Sequence, residues 1–148
     1  PRDLILEDCR VICHGVASGP LLGGNLTNLC HLMGTPFQPD ARGHIVFLED
    51  RGEALYRVDR MLTHLRLAGF FDGISALILG AFEGCGNYEA IVGLADEICG
   101  NGKTAIIAGF GSGHGKRNVT LPVGFPATLD TRNYTLSFSR IAAGSKGG

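Results

Sequence analysis

Charge of one sign is what this sequence most plainly lacks. Thirteen Lys and Arg stand against fourteen Asp and Glu, a formal net charge of −1, with the two signs interspersed. Such a surface has no field to hold a phosphate backbone or an anionic bilayer, so neither nucleic acid nor membrane is an expected partner. No apolar run reaches the roughly 18 residues that crossing a bilayer requires. The start lacks the basic-then-apolar layout of a signal peptide, and the expectation is a soluble, cytoplasmic protein. No C-x-x-C pair occurs among the five cysteines (Cys9, Cys13, Cys30, Cys85, Cys99), and their odd number and irregular spacing argue against a disulfide framework or a structural zinc. They read as reduced, mostly buried thiols. There is no internal repeat, and the only low-complexity stretch is the terminal Gly144-Ser145-Lys146-Gly147-Gly148. That tail, with a start at Pro1, suggests a domain cut from a longer chain: one domain over residues 1–141 and a flexible tail over 142–148.

What is present suits a single core, because 148 residues at 45% apolar content can bury one. Ile45-Val46-Phe47-Leu48, Ala76-Leu77-Ile78-Leu79 and Ala105-Ile106-Ile107-Ala108 are unbroken apolar runs, the pattern of strands covered on both faces. Between the first two, Leu55, Val58, Leu62 and Leu65 recur at helical spacing, with Asp50 and Glu53 as a capping-box-like start and Gly69 as a stop. Between the second and third, Asn87 caps a helix with Ile91, Leu94, Ala95 and Ile98 as its apolar stripe, ended by Gly100-Asn101-Gly102. Strand alternating with helix predicts right-handed crossovers and a parallel sheet flanked by helices, an α/β fold. Upstream, residues 10–15 read as a strand, Gly19-Pro20-Leu21-Leu22-Gly23-Gly24 as a glycine-rich turn and residues 25–33 as a short helix. Downstream, residues 119–121, 127–129 and 134–138 read as short strands in antiparallel or edge positions.

In open parallel sheets, functional groups gather on loops at the carboxyl ends of the strands. Glu49 directly follows one predicted strand, and His114 lies in the glycine-rich segment after another, so both are expected on one rim. A carboxylate that accepts a hydrogen bond from imidazole Nδ1 leaves Nε2 free to act as a base. The plainer alternatives are an exposed Glu49 favoured by a helix dipole and an idle surface His114. Gly23-Gly24-Asn25 precedes a helix and either offers amides to an anion or is only a tight turn. No serine sits in a G-x-S-x-G elbow, and Ser112 is an outside candidate for a nucleophile. Gly102-Lys103-Thr104 is not a phosphate loop, because Glu97 stands where its first glycine belongs and a strand follows. The three N-x-[ST] sequons at Asn25, Asn118 and Asn133 read as unmodified. Cys13 and His14, adjacent on a strand, point to opposite faces and do not converge on a metal.

Four stretches together resemble one family: Gly19-Pro-Leu-Leu-Gly-Gly-Asn-Leu26, Leu32-Met-Gly-Thr-Pro36, Ile45-Val-Phe-Leu-Glu-Asp50 running on to Tyr56-Arg-Val-Asp-Arg60, and Gly113-His-Gly115 followed by Leu121-Pro-Val-Gly124. In that order they are similar to the C-terminal domain of the LD-carboxypeptidases, a serine peptidase family that includes microcin C self-immunity proteins. The resemblance implies a small swivelling β/β/α-type domain paired with an N-terminal domain that carries the nucleophilic serine. It implies that Glu49 orients, that His114 acts as general base, and that Gly24 and Asn25 contact substrate. The implied reaction is metal- and cofactor-free hydrolysis of the L,D-peptide bond of murein tetrapeptide in cell-wall recycling, with release of D-alanine through an acyl-enzyme. A homodimer is a further implication, and the isolated domain is expected to be inactive. Two other readings stay open: hydrolysis of a peptidyl-nucleotide amide, and a non-catalytic α/β binding or dimerisation module.

Overall fold

A computed structural model describes residues 2–6, 8–111 and 119–139. In chain order the elements are β1 (Arg2–Ile5), β2 (Arg10–Cys13), β3 (Val16–Asn25), α1 (Leu26–Leu32), β4 (Ile45–Arg51), α2 (Leu55–Leu67), β5 (Ala76–Glu83), α3 (Tyr88–Cys99), β6 (Ala105–Ala108), β7 (Pro126–Asp130) and β8 (Thr135–Phe138). The three apolar runs form the parallel centre, where Ile45 opposes Ala76 and Ala76 opposes Ala105. The β3 strand joins them in parallel, with Leu21 opposite Ile45. Antiparallel partners complete one eight-stranded sheet in the order β1-β8-β7-β3-β4-β5-β6-β2.

The pleat divides the core. Val46, Leu48, Leu77, Leu79 and Ile106 pack under Leu26 and Leu29 of α1, Val58, Leu62 and Leu65 of α2, and Ile91 and Ala95 of α3. Ile45, Phe47, Ile78 and Ile107 face the other way, onto Leu129 of β7 and Leu136 of β8. All three helices therefore cover one face only. The opposite face is covered by the sheet's own far strands, which requires it to fold over itself. A flat sheet of eight strands would separate its edges by about 33 Å. Here the chain passes from edge strand β1 to opposite edge strand β2 through only residues 6–9, a reach of at most about 18 Å. The result is a helix layer, a parallel sheet and a curled β layer, which is the β/β/α arrangement.

Several local expectations need correction. Residues 19–24 are not a turn but lie inside the ten-residue β3. Glycine is needed there for close backbone approach: a Cβ on Gly19 would lie 2.0 Å from the Gly43 carbonyl oxygen, and one on Gly23 would lie 1.9 Å from that of Phe47. Asp50 does not cap α2. It lies within β4, the cap position of α2 is Ala54 without a side-chain bond, and Glu53 instead meets Arg57 at 3.5 Å. Residues 119–121 form no strand, although Val119 and Leu121 pack onto the second core face. The edge strand β1 carries too few residues to announce itself. Asn87 does cap α3, accepting from the Glu89 and Ala90 amides, and Gly69 ends α2 at φ +75°. The expected tail from residue 142 lies outside the described residues.

All five cysteines are free, but only Cys85 and Cys99 are buried, the other three being half-buried. Burial pushes the Cys9 and Cys30 thiols up to about 11 and that of Cys99 up to about 12. At pH 8 a thiol with a pKa near 11 is thiolate to about one part in a thousand. Iodoacetamide should therefore modify these three positions in the native chain at least tenfold more slowly than in urea, and equal rates at pH 8 would contradict the burial. The native state holds these protons longer than the unfolded state. Stability should thus be insensitive to these groups below about pH 8 and decline as pH rises through the unfolded thiol range near 8.5.

Candidate active site on the carboxyl rim

Parallel pairing brings the ends of β3, β4, β5 and β6 to one rim. Asn25, the last residue of β3, stands opposite Glu49 in β4. On the other side the register slips: Leu48 faces Leu79 and Asp50 faces Phe82, so Gly80 and Ala81 together oppose the single residue Glu49. A bulge of this kind re-aims a side chain at a sheet end. Alternation along β4 puts Glu49 on the Phe47 face and Asp50 on the helix face. Glu49 is 7% exposed, and α2 begins only at Leu55. An exposed carboxylate favoured by the dipole of α2 is therefore not what this residue is.

Asp50 was not foreseen as part of the site, yet it organises the β3–α1 junction. Buried at 3% exposure, it accepts from the Thr27 amide (3.0 Å), the Thr27 hydroxyl (2.8 Å), Asn25 Nδ2 (3.0 Å) and the Arg51 amide (2.8 Å). The Asn25 carboxamide is held at both ends, because its Oδ1 accepts from the Asn28 amide and caps α1. One Nδ2 hydrogen is left over for a ligand. Beside it, Gly24 sits at φ +146°, and a Cβ built there would meet nothing within 4 Å, so its rim side is open. The alternative of a simple tight turn at residues 23–25 is replaced by an extended strand end running directly into a capped helix.

The chain leaving β6 turns onto the face that carries Glu49. The Gly109 amide donates to the Tyr88 hydroxyl (2.7 Å), which in turn donates to the Gly80 carbonyl (3.1 Å) beside the bulge. Burial, the largest influence on it, raises the Tyr88 phenol and keeps it a donor. The Phe110 amide donates to the Leu79 carbonyl (3.0 Å), and its ring meets Phe47 edge to face at 6.3 Å. Gly111 then accepts from the Val119 amide at 2.9 Å, pinning the two stems of the loop together. Ser112 and His114 fall between these stems and lie outside the described residues. The structure thus brings together Glu49, Gly24 and Asn25, together with the base of the segment to which His114 belongs. His14 bonds Thr131 at 3.3 Å, away from the rim, while Cys13 packs toward the helix layer. Among the described residues no group of three His, Cys, Asp or Glu could hold a metal. No helix among them is long and apolar enough to cross a membrane.

Fold and rim define a mixed α/β lobe that offers a buried acid and a pinned loop at one edge. Residues 18–129 match the LD-carboxypeptidase C-terminal domain, and the chain belongs to that family, of the S66 peptidases. A protein named as a carboxypeptidase in Streptomyces coelicolor is 40% identical over 134 residues, 90% of this chain and 43% of that protein. The crystal structure of muramoyltetrapeptide carboxypeptidase from Oxalobacter formigenes aligns with a TM-score of 0.72 at 33% identity, covering 90% of this chain and 47% of that one. The wild-type apo structure of the microcin C7 self-immunity protein MccF aligns at 0.79 and 29% identity, covering 90% and 41%. The chain spans less than half the length of each of these relatives.

Proposed function

We propose that the chain is the acid-and-base half of a two-domain serine carboxypeptidase that removes the terminal D-alanine from murein tetrapeptide in the cytoplasm. One observation carries this reading. A buried carboxylate, Glu49, sits at a bulge on the same sheet face onto which the stems of the His114 segment are pinned. In the proposed mechanism Glu49 accepts from His114 Nδ1 and fixes the tautomer that leaves Nε2 as the base. His114 takes the proton of a serine supplied by the N-terminal domain, and the serine oxygen attacks the carbonyl of the L,D-peptide bond. The imidazolium then protonates the departing D-alanine amine, leaving an acyl-enzyme, which water hydrolyses with His114 again as base. Gly24 and the spare Asn25 hydrogen line the substrate side. No metal or cofactor has a step in this scheme.

A second substrate has support of its own. MccF, which aligns with the higher TM-score, has been solved with glutamyl sulfamoyl guanosine and with aspartyl sulfamoyl adenosine. The reading as a non-catalytic module would require the Gly23–Gly24 end of β3 to bind an anion by itself. The test is an assay of the two-domain protein on murein tetrapeptide and on aspartyl sulfamoyl adenosine in parallel, with the isolated chain beside it. The expected result is D-alanine release by the two-domain protein and none by the isolated chain, because the serine and its oxyanion donors lie elsewhere. Hydrolysis of the nucleotide alone would move the assignment to the second substrate, and tight ligand binding by the inactive isolated chain would favour the module.

A further inference from the structure

Beside the rim, α1 and α2 enclose an open cleft of about 520 Å³ that the proposed mechanism does not use. Its upper end is formed by Thr27, Glu53 and Arg57, close to where both helices leave the rim, and its lower end by His31, Arg60 and His64. Positions 57, 60 and 64 recur at three and four, so they form one stripe along α2, facing His31 across the cleft. Two arginines and two imidazoles therefore line a space containing one carboxylate, on a chain whose overall charge is −1.

Helix electrostatics accounts for only part of this arrangement: His31 and His64 stand in the last turns of α1 and α2, where the dipole favours positive charge. Arg57 stands in the first turn of α2, where the dipole disfavours a cation. It is partly offset by Glu53 at 3.5 Å, but Arg60 makes no salt bridge among the described residues. The cleft is also wired to the rim. The Thr27 hydroxyl lies 3.4 Å from Met61 Sδ in the cleft lining and 2.8 Å from the Asp50 carboxylate that orients Asn25.

We propose that the cleft between α1 and α2 is an anion subsite, with Arg60 and His64 as its binding groups, taking a carboxylate or phosphate that lies on the substrate away from the scissile bond. Anion binding rests on the cleft alone, whereas its use by substrate rests on the peptidase reading above. A planar guanidinium suits either oxyanion through charge-assisted hydrogen bonds, with an imidazole N–H as a second donor, and both a stem peptide and a nucleotide carry one.

The test begins with inorganic phosphate titrated into the isotope-labelled chain and followed by amide NMR. Saturable shifts at Thr27, Arg60 and His64 are expected, weakened about tenfold in the Arg60→Ala/His64→Ala double variant and by added salt. Absence of saturation, or identical shifts in the double variant, overturns the subsite. Parallel titrations with a glutamyl-diaminopimelate dipeptide and with adenosine monophosphate distinguish the carboxylate source from the phosphate source. In the two-domain protein the double variant should raise KM several-fold with kcat unchanged, and an unchanged KM overturns the role in substrate binding. Failure of the peptidase reading would show differently, as an inactive unsubstituted protein, and the phosphate titration would then still decide the cleft.

Discussion

In the two-domain protein, His114→Ala should lower kcat on murein tetrapeptide by about 10⁶-fold, and Glu49→Ala by about 10⁴-fold. The order follows from the roles. Removing the base leaves the serine hydroxyl without a proton acceptor and the leaving amine without a donor. Removing the acid leaves a histidine that still reaches the serine but spends most of its time in the wrong tautomer or orientation. Because the two act as one unit, the double variant should be scarcely worse than His114→Ala alone. Glu49→Gln tests the same point while nearly preserving shape, which matters for a buried residue opposite the β5 bulge. Single-turnover measurements with the tetrapeptide separate the chemical step from binding. Retention of more than about one-tenth of wild-type kcat by His114→Ala would sink the assignment.

Asp50→Ala should destabilise the chain by about 3–5 kcal/mol, measured as a fall in the urea midpoint at unchanged m-value. Four donors converge on this carboxylate: two from Thr27, one from Asn25 and one from Arg51. Alanine would leave the Thr27 amide without its acceptor and the Thr27 hydroxyl with only the weak Met61 Sδ contact, beside a position that is 3% exposed for Asp50 itself. Asp50→Asn keeps one acceptor oxygen and should cost roughly half as much. The same change frees the Asn25 carboxamide to swing out of its cap on Asn28, so the loss should extend to α1 and to the rim. A destabilisation below about 1 kcal/mol would mean that the junction is held by packing instead.

How much of this was legible in the sequence depends on the range of the interaction. The parallel centre was legible because an unbroken run such as residues 76–79 has few stable places other than a strand covered on both faces. The cap of α3 was legible because Asn87 acts on amides two or three residues away, whereas Asn25, read as the first residue of a helix, proves to be the cap of α1. The β3 strand was misread because glycine serves both turns and close backbone approach, and only the position of the Phe47 carbonyl tells which. Asp50 was assigned to the wrong helix for a related reason: its partners Asn25 and Thr27 lie 25 and 23 residues back, with no periodicity linking them. The bulge opposite Glu49 and the clasp from Tyr88 to Gly109 arise from register and crossover and leave no mark on composition. Glu49 was read as directly following a strand that ends at Leu48, but β4 runs on to Arg51 and takes Glu49 in; its place toward the carboxyl end of β4 was legible, whereas its burial was not.

If the rim carries a carboxylate and an imidazole as a ready half of a triad, the tautomer of His114, read by long-range ¹H–¹⁵N NMR near pH 8, reports it. The Nδ1–H form is expected in the wild-type chain, against the usual preference of free imidazole, with reversion to the Nε2–H form in Glu49→Gln. An Nε2–H tautomer in the wild type, indifferent to that substitution, would contradict it.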